Sequence, residues 1–479
     1  MQIQLVIKTI GLLLMIFSVT QLPPILVDWI YQESERNSFL LSFFASLITG
    51  FVLWFLTKNN KKDFRVREGI LVVVLFWIIL SLFGSIPFLF FNLSMSNAFF
   101  ESISALTTTG ATVLTNLDDM PKALLYYRQQ LQWLGGMGII VLAIAILPML
   151  GIGGLQLYNM EKKGVNDSKL MPKITQTAKM LWLIYVGLTV LAALFFYIAG
   201  MSFFDAIAHS FSTIATGGFS THDSSIGFYN SQLIESVAIV FMFLAGINFS
   251  LHFFAFRDKS LLSYFKDSEF KAYLSFLLIS FVIVVILLLS QNYYPTLSQT
   301  IRHSLFQVVS IVTSTGFISQ DFSLWPTILP VLLIFLSFVG ASTGSTSGGM
   351  KVVRILLLLK QGMNEIKHLI HPNICNAVKL GNKIVPERTM ISIWGFFSLY
   401  VFSFIIIMIA LMITGLDQVT AFSATATSIN NLGPGLGVVA LNYESINDTA
   451  KWILSFSMLL GRLEIITLIA LFHRAFWRF

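Results

Sequence analysis

Long apolar runs, separated by short polar stretches, recur from one end of the chain to the other. A helix needs about 20 apolar residues to cross a lipid bilayer, whereas apolar runs of about 10–14 residues fit segments that enter the membrane and turn back. Two runs of crossing length come first, at residues 3–30 and 38–57, joined by a polar turn at 31–37. This pattern predicts an N-terminal helical hairpin in a membrane, within residues 1–68.

From residue 69 a longer pattern repeats four times. Each unit has a long apolar helix, a shorter semi-polar helix, a Ser/Thr/Gly stretch and a second long helix. The predicted helices are 69–91, 95–107 and 124–150, then 178–199, 203–215 and 231–256, then 270–290, 298–313 and 325–360, and finally 389–414, 417–429 and 450–476. We predict an all-α integral membrane protein with about ten crossings, whose short helices turn back on the outer side. The repeats are 69–160, 161–262, 263–372 and 373–479.

The four short helices align without a gap. A small residue is followed six positions later by a hydroxyl residue and six positions after that by glycine. The four sets are Ala98, Ser104, Gly110; Ala206, Ser212, Gly218; Ser304, Ser310, Gly316; and Ala421, Thr427, Gly433. A single stretch of this kind is usually a place where helices pack closely. Four copies in one register, each between two long helices, favour a repeated functional element.

The second long helix of the third repeat is interrupted by ten small or hydroxyl residues. Irregular backbone in hydrocarbon leaves polar groups unsatisfied, so it persists only when buried in protein or lining a water-filled cavity. We therefore predict that residues 340–349 form the gate of a pore. A phosphate-binding loop is disfavoured, because the Gly-Lys-Ser/Thr ending and a surrounding βαβ unit are missing. The predicted gate residues are Gly340, Ser342, Thr343, Gly344, Ser345, Thr346, Ser347, Gly348 and Gly349.

Composition supports a membrane protein. The chain of 479 residues is 56 % hydrophobic and 11 % charged, whereas soluble domains are about 25 % charged. The net charge of +7 would suit nucleic-acid binding, but the basic residues lie in short connections at 58–67, 151–179, 257–271 and 351–388. Such connections mark the cytoplasmic side, so we expect lipid rather than nucleic acid as partner, and a cytoplasmic N-terminus. The single cysteine, Cys375, excludes an internal disulfide.

The repeated element suits cation binding. A short helix followed by a glycine-ended stretch can aim backbone carbonyls at an axis, because glycine accepts positive φ and has no Cβ. Four such stretches meeting at one point would replace the hydration shell of a cation. The C-terminal ends of the short helices carry partial negative charge, which also favours a cation over an anion.

The motifs that follow the short helices resemble those of the Trk/Ktr/HKT potassium transporters. They read Thr-Thr-Thr-Gly-Ala-Thr (107–112), Ala-Thr-Gly-Gly-Phe-Ser-Thr-His (215–222), Thr-Ser-Thr-Gly-Phe (313–317) and Asn-Asn-Leu-Gly-Pro-Gly (430–435). With the N-terminal hairpin, the chain is most similar to the bacterial TrkH/TrkG branch. The resemblance covers essentially the whole chain and implies potassium uptake through a pseudo-fourfold pore, with potassium as the bound ion and no organic cofactor.

The resemblance also implies which residues form the selectivity filter. One glycine of each repeat carries it, with the two residues before that glycine. These residues are Thr108, Thr109, Gly110, Thr216, Gly217, Gly218, Ser314, Thr315, Gly316, Asn431, Leu432 and Gly433. In the family, serine at the first glycine position is associated with sodium transport, so Gly110 favours potassium. The family also has a gating loop where residues 340–349 lie.

Arg462 lies inside the last predicted helix, close to Glu464. A mid-membrane arginine costs about 2.5–3.5 kcal/mol and usually faces a cavity or a partner. One interpretation is a buried pair with Glu464, or a side chain that reaches the interface. The family has an arginine at the matching position, which implies an electrostatic barrier below the filter. His209 and His222 flank the second filter segment; a structural role is favoured, and proton coupling stays open.

The resemblance further implies a homodimer that contacts a separate cytoplasmic nucleotide-binding regulatory subunit (TrkA-like). A sodium-conducting or sodium-coupled transporter of the same fold remains an alternative, and the coupling ion stays open. A membrane-embedded enzyme is disfavoured, because the intramembrane Ser and Thr residues have no accompanying His/Asp set at fixed spacing. A structural scaffold would not need four filter-like copies.

Overall fold

A computed structural model of the chain describes residues 2–59, 66–145, 174–326, 328–373, 377–381 and 383–478. The secondary structure of these residues is helical apart from one short hairpin, in which Lys379–Leu380 pairs antiparallel with Lys383–Ile384. Cys375 and most of the basic connection 151–179 lie outside the described residues.

The predicted N-terminal hairpin is present. Its helices are Ile3–Val19, Leu22–Tyr31 and Arg36–Thr57. The two arms cross at Gly11 and Gly50, where a Cβ on either residue would approach the carbonyl oxygen of the other to 2.7 Å. Glycine at both positions therefore permits the close backbone packing that holds membrane helices together.

The four predicted repeats follow, each with a first helix, a short helix and a second helix. Their bounds are Val66–Gly84 (continued by Ile86–Leu89), Met95–Leu106 and Lys122–Ala145; Ile174–Ile198, Phe203–Ala215 and Gln232–Ala245 with Phe249–Arg257; Ser268–Ser290, Leu297–Val312 and Ile328–Val339 with Val352–Ile370; Glu387–Ile413, Gln418–Ile429 and Asp448–Arg462 with Ile465–Ile469. The helix Leu262–Lys266 connects repeats 2 and 3, and Arg474–Trp477 ends the described chain.

The same local chemistry begins every short helix. A side-chain oxygen at the N-cap accepts a hydrogen bond from a backbone N–H of the first turn, which satisfies one of the free donors there. The four N-cap residues are Ser94, Ser202, Thr296 and Asp417.

The short helices also end alike. A backbone N–H beyond the helix donates to a carbonyl of its last turn, at 2.9, 2.8, 2.8 and 2.8 Å for Thr109 to Ser104, Gly217 to Ser212, Thr315 to Ser310 and Leu432 to Thr427. The residue before each donor has a φ of 50–52°, the left-handed conformation of a Schellman termination. The chain therefore turns back at the same point in all four repeats.

Two second helices differ from the prediction. The predicted continuous helix 231–256 is wrong, because Gln232–Ala245 and Phe249–Arg257 meet at 93°. The predicted helix 450–476 is also wrong, because it bends by 114° after Arg462. At the first break Asn248 caps the new helix by accepting from the Ser250 N–H at 2.9 Å. At the second break Glu464 adopts a left-handed backbone conformation, with a φ of 57°.

Six of the described helices are long and apolar enough to cross a membrane, or up to eight if each bent pair is one span. The two further crossings predicted from the sequence correspond to Lys122–Ala145 and to the interrupted helix of repeat 3. Lys122–Ala145 carries polar residues that the fold buries, among them Arg128 and Gln132.

Repeat 4 packs against repeat 1. The rings of Phe99 and Trp452 lie 4.9 Å apart, and the backbone N–H of Tyr443 donates to the carbonyl of Thr112 at 2.7 Å. Because the last repeat meets the first, the four units form a closed ring around one axis rather than an open row.

Candidate functional site

The glycines that end the four aligned motifs meet at the centre of the ring. Gly110, Gly218, Gly316 and Gly433 all have positive φ, at 78°, 76°, 81° and 92°. Together with the residue two positions earlier, each segment therefore has two left-handed positions in the same register. Glycine is the residue that adopts this backbone without steric cost.

Each glycine lies against a backbone carbonyl of the next repeat. A Cβ on Gly110 would overlap the carbonyl oxygen of Gly217, and one on Gly218 would overlap that of Thr315. A Cβ on Gly316 would overlap the carbonyl oxygen of Leu432. Repeat 1 therefore contacts repeat 2, repeat 2 contacts repeat 3, and repeat 3 contacts repeat 4.

The fourth glycine completes the circle. A Cβ on Gly433 would lie 2.7 Å from the carbonyl oxygen of Thr109. The Asn431 amide also donates to the Thr109 hydroxyl at 2.9 Å. The structure thus brings the twelve residues predicted as a filter into one site, which we call the glycine ring. Its backbone oxygens, near the C-terminal ends of four helices, suit a cation.

An ion pair that the sequence analysis missed supports two segments of the glycine ring. The Arg128 Nε donates to Glu101 at 2.8 Å, and both side chains are fully buried. Glu101 also accepts from the Thr112 hydroxyl at 3.0 Å and the Val113 N–H at 3.0 Å. Arg128 reaches repeat 2, where it donates to the Ser220 carbonyl at 3.3 Å. In the sequence, this pair could have been suspected because Glu101 and Arg128 are charged residues inside otherwise apolar stretches.

Each repeat supports its segment differently at the Glu101 position. In repeat 2 the equivalent residue is His209, whose Nε2 lies 3.0 Å from the Ser220 hydroxyl and whose Nδ1 lies 2.9 Å from the Asp205 carbonyl. Both ring nitrogens of His209 are thus hydrogen-bonded within repeat 2, and the structural role favoured from the sequence stays a prediction. The corresponding residues are Gln307 in repeat 3 and Ala424 in repeat 4. The glycine ring therefore has approximate fourfold symmetry in its backbone but not in the side chains that support it.

Gln132 is a second support that the sequence analysis missed. Its side-chain amide donates to the Gly217 carbonyl at 2.6 Å and its oxygen accepts from the Phe219 N–H at 3.2 Å. In repeat 4 the Tyr443 hydroxyl donates to the Gly433 carbonyl at 2.7 Å. These bonds fix the positions of the Gly217 and Gly433 carbonyls.

The predicted gate residues lie directly beside the C-terminal ends of three short helices. The Thr346 hydroxyl donates to the Ile214 carbonyl of repeat 2 at 2.9 Å. The Gly348 N–H donates to the Ser314 hydroxyl of repeat 3 at 2.5 Å, and a Cβ on Gly348 would overlap the Asn430 carbonyl of repeat 4. We call residues 340–351 the loop; the side chains of Ser342, Thr343, Ser345, Thr346 and Ser347 are all buried.

Three glycines shape the turns of this loop. Gly340, Gly344 and Gly349 have φ values of 67°, 71° and 73°. Gly340 also lies close to Gly348, since a Cβ on Gly340 would stand 2.5 Å from the Gly348 carbonyl oxygen. The loop is therefore folded back on itself between the two halves of the broken helix.

Arg462 contacts the loop. Its Nη1 donates to the Thr346 carbonyl at 3.0 Å, and its side chain is buried. The alternative of a pair with Glu464 is wrong, because Glu464 instead pairs with Arg354 at 2.9 Å. Among the described residues, the Nε and Nη2 of Arg462 have no hydrogen-bond partner. The positive charge of Arg462 thus lies next to the loop, on the side of the glycine ring that the loop contacts.

His222 lies between repeats 1 and 2, in the segment that follows the glycine ring residues of repeat 2. Its Nδ1 contacts Asp118, and its Nε2 lies 3.8 Å from Asp205. The ring stacks on Phe228 with 3.5 Å between centroids. Burial disfavours protonation, but the hydrogen bonds and charges of Asp205 and Asp118 outweigh it, so the pKa of His222 is raised above its usual value.

We expect this histidine to stabilise the protein more in acid than in alkaline solution. A histidine whose pKa is raised on folding contributes stability that is complete below the unfolded-state pKa of about 6.5 and is lost as the pH rises through the folded-state pKa. The melting temperature of the wild type, minus that of His222→Gln, should therefore fall as the pH rises above about 6.5. Thermal unfolding in detergent checks this, with the exposed His371→Gln as control. A pH-independent difference would contradict the expectation.

Known proteins resemble this chain over its whole length. The sequence profile of the TrkH family, described as a cation transport protein, matches residues 35–478. The Trk system potassium uptake protein TrkH of Vibrio parahaemolyticus serotype O3:K6 (strain RIMD 2210633) is 50 % identical, with 100 % of both chains covered. In Escherichia coli (strain K12), TrkH is 49 % identical with 100 % of both chains covered, and TrkG is 39 % identical with 98 % of this chain and 97 % of TrkG covered.

A solved structure is also similar. The crystal structure of the potassium transporter TrkH from Vibrio parahaemolyticus matches this chain with a TM-score of 0.94 and 49 % sequence identity, covering 100 % of both chains.

Proposed function

Because this chain belongs to the TrkH family of cation transport proteins, we propose that it takes up potassium ions across the cytoplasmic membrane. It is a transport protein rather than an enzyme. The observation that carries the proposal is the closed glycine ring, in which each segment lies against a carbonyl of the next. Relatives named as potassium uptake proteins, at 49–50 % identity over full length, support potassium as the ion.

In this proposal the ring acts as the filter. A potassium ion gives up water and is bound by backbone oxygens of Thr109, Gly217, Thr315 and Leu432, the residues that precede the four glycines. Removing an ion from water costs tens of kcal/mol in a low-dielectric medium, so compensation must be nearly complete. The supports at Glu101, Gln132 and Tyr443 reduce the reorganisation that binding requires. The ion is cargo, and no organic cofactor takes part.

The loop acts as the gate, and Arg462 acts as the barrier beside it. A cation that has passed the ring meets the positive charge of Arg462, which is not neutralised by Glu464. At a separation of about 4 Å, repulsion between unit charges amounts to about 4 kcal/mol at an effective dielectric constant of 20. Displacement of the loop, with the Arg462 side chain bonded to it, removes this barrier.

A bulky side chain at position 344 should change the gating of the pore. The residue has a φ of 71°, and a Cβ there would lie 3.1 Å from Asn248 Oδ1. A side chain at this left-handed position adds strain of about 1–2 kcal/mol and pushes the loop away from Asn248. We expect Gly344→Leu, and deletion of several loop residues, to raise leak flux of rubidium in proteoliposomes.

The matched control for Gly344→Leu is Gly395→Leu, where a Cβ meets nothing within 4 Å. This control should leave flux unchanged. Unchanged gating after a loop deletion would show that residues 340–349 are not the gate.

Uptake into cells tests the ion. The gene is expressed in a bacterial strain that lacks its own potassium uptake, and potassium, rubidium and sodium uptake are compared. Potassium-dependent growth and uptake support the proposal, whereas uptake of sodium in preference to potassium would establish the sodium-conducting alternative. If uptake requires a cytoplasmic nucleotide-binding subunit, co-expression of that subunit restores it.

The assembly and orientation belong to the same proposal. The Trk system names of the relatives imply several components, and we propose a homodimer with a TrkA-like cytoplasmic subunit. We place the chain in the inner membrane with its N-terminus in the cytoplasm, because the basic connections lie on that side. The hairpin 1–68 and the four repeats are the units of the fold. Labelling of single cysteines from each side of the membrane tests this topology.

A further inference from the structure

The connection between repeats 2 and 3 holds the middle of the loop. We call residues 246–269 the elbow; it starts at the break in the second helix of repeat 2 and ends in the first turn of Ser268–Ser290. The Ser342 N–H donates to the Gly246 carbonyl at 3.0 Å, and the Phe249 N–H donates to the Gly344 carbonyl at 3.1 Å. The backbone of the elbow is therefore hydrogen-bonded to the loop on both sides of residue 343.

Glu269 occupies the position between these two backbone bonds. Its carboxylate accepts from the Thr343 N–H at 2.5 Å and from the Thr343 hydroxyl at 2.7 Å. The side chain is buried, with 6 % exposure. Glu269 therefore adds two side-chain hydrogen bonds between the elbow and the loop.

Side-chain contacts tie the elbow together and to the helices on either side of it. His252 bridges it, with Nδ1 2.8 Å from the Tyr264 hydroxyl and Nε2 3.0 Å from the Leu244 carbonyl. The ring of Tyr264 lies 5.5 Å from that of Phe270, one residue after Glu269. These contacts link Phe249–Arg257 and Leu262–Lys266 to the helix that carries Glu269.

The second half of the loop, residues 346–348, contacts the short helices and the segments that follow them. Thr346 and Gly348 bond to Ile214 and Ser314, and Arg462 bonds to Thr346. The loop is thus held at two places: residues 342–344 by the elbow and residues 346–348 beside the ring. A shift of the elbow relative to the ring must break one set of bonds.

We propose that Glu269 is a positioning residue that holds the gate in the conduction path, and that movement of the elbow at the inner side of the membrane releases the gate through this carboxylate. The inference rests on the proposed role of the loop as the gate, but it assigns the coupling to a residue outside the loop and outside the filter.

The test combines loop accessibility with ion flux. A single reporter cysteine replaces Ser345, which is 2 % exposed, in a Cys375→Ser background. The reaction rate of this cysteine with a water-soluble maleimide and the rubidium flux are measured in proteoliposomes. Glu269→Ala should raise both by about tenfold, because the lost bonds favoured the closed population. Glu269→Gln should show a smaller rise, since its amide can still bond to Thr343.

Asp258→Asn is the matched control. It removes a carboxylate from the same elbow, where Asp258 is exposed and bonds to Arg257, and should leave both readouts unchanged. Equal labelling and flux in Glu269→Ala and its parent overturn the proposal, as does a rise that Asp258→Asn reproduces or one accompanied by lost potassium selectivity. If the parent carries no potassium or rubidium, the proposed function fails, while the labelling rates still decide the role of Glu269.

Discussion

Replacement of Gly316 by serine should abolish most of the discrimination between potassium and sodium. The new Cβ would overlap the Leu432 carbonyl oxygen and lie 2.9 Å from Pro434 Cδ. A side chain at the φ of 81° adds about 1–2 kcal/mol of strain. Relief of the overlap displaces a carbonyl that binds the ion in our proposal. Each 1.4 kcal/mol of lost preference lowers selectivity about tenfold, so we expect a drop of at least about tenfold.

Competition of sodium against rubidium uptake measures this effect in the uptake-deficient strain. Gly415→Ser is the matched control, because Gly415 also has positive φ (98°) while a Cβ there meets nothing within 4 Å. The control separates backbone strain from overlap in the ring and should retain selectivity. Unchanged selectivity in Gly316→Ser, with normal expression, would mean that the filter assignment is wrong even though the family is right.

Replacement of Arg128 by methionine should destabilise the protein strongly and also reduce selectivity. The change leaves the Glu101 carboxylate buried without its cation, and breaking a buried ion pair on one side costs about 3–5 kcal/mol. Thr112 and Ser220, which Arg128 contacts at 3.0 and 3.3 Å, lose their support two residues after Gly110 and Gly218. We expect a lower melting temperature in detergent and a smaller potassium-to-sodium ratio.

The double variant Glu101→Gln with Arg128→Met should recover much of the stability, because no uncompensated charge remains. Arg302→Met is the control. It breaks the Arg302–Glu235 pair, which is bidentate at 2.6 and 2.7 Å but has a partly exposed arginine. Arg302 lies in the N-terminal half of Leu297–Val312, whose C-terminal end leads to the ring. A smaller effect on stability and none on selectivity are expected there. Equal selectivity loss in Arg302→Met would contradict a specific role for Arg128.

The order of elements could be read from the sequence. Membrane-spanning length and the small–hydroxyl–glycine spacing of each motif depend on residues within one helix and the short stretch that follows it. The short helix Phe203–Ala215 was predicted with both ends correct, because Ser202 caps its start and Thr216 turns the chain at its end. The interruption at 340–349 was equally visible, since hydrocarbon does not tolerate such a segment unsupported.

The partners of buried polar groups could not be read in this way. Arg462 stood beside Glu464 in sequence, yet the bend after Arg462 separates them, so that one bonds to Thr346 and the other to Arg354. The break at Gly246 was missed for a similar reason. An apolar run continues as a helix unless another segment satisfies its backbone, and here that segment is Ser342, which lies almost a hundred residues further along the chain.

The sequence by itself determined the membrane helices, the hairpin, the fourfold repeat and the residues that turn each short helix towards one point. Those features follow from hydrophobicity and capping, which act over a few residues. Only the tertiary structure decided that the four glycines close into a ring, that Glu101 and Arg128 support it and that Glu269 holds the loop. These contacts join residues from different repeats, and their formation depends on how the helices pack, because a buried charge is stable only where the fold supplies its partner.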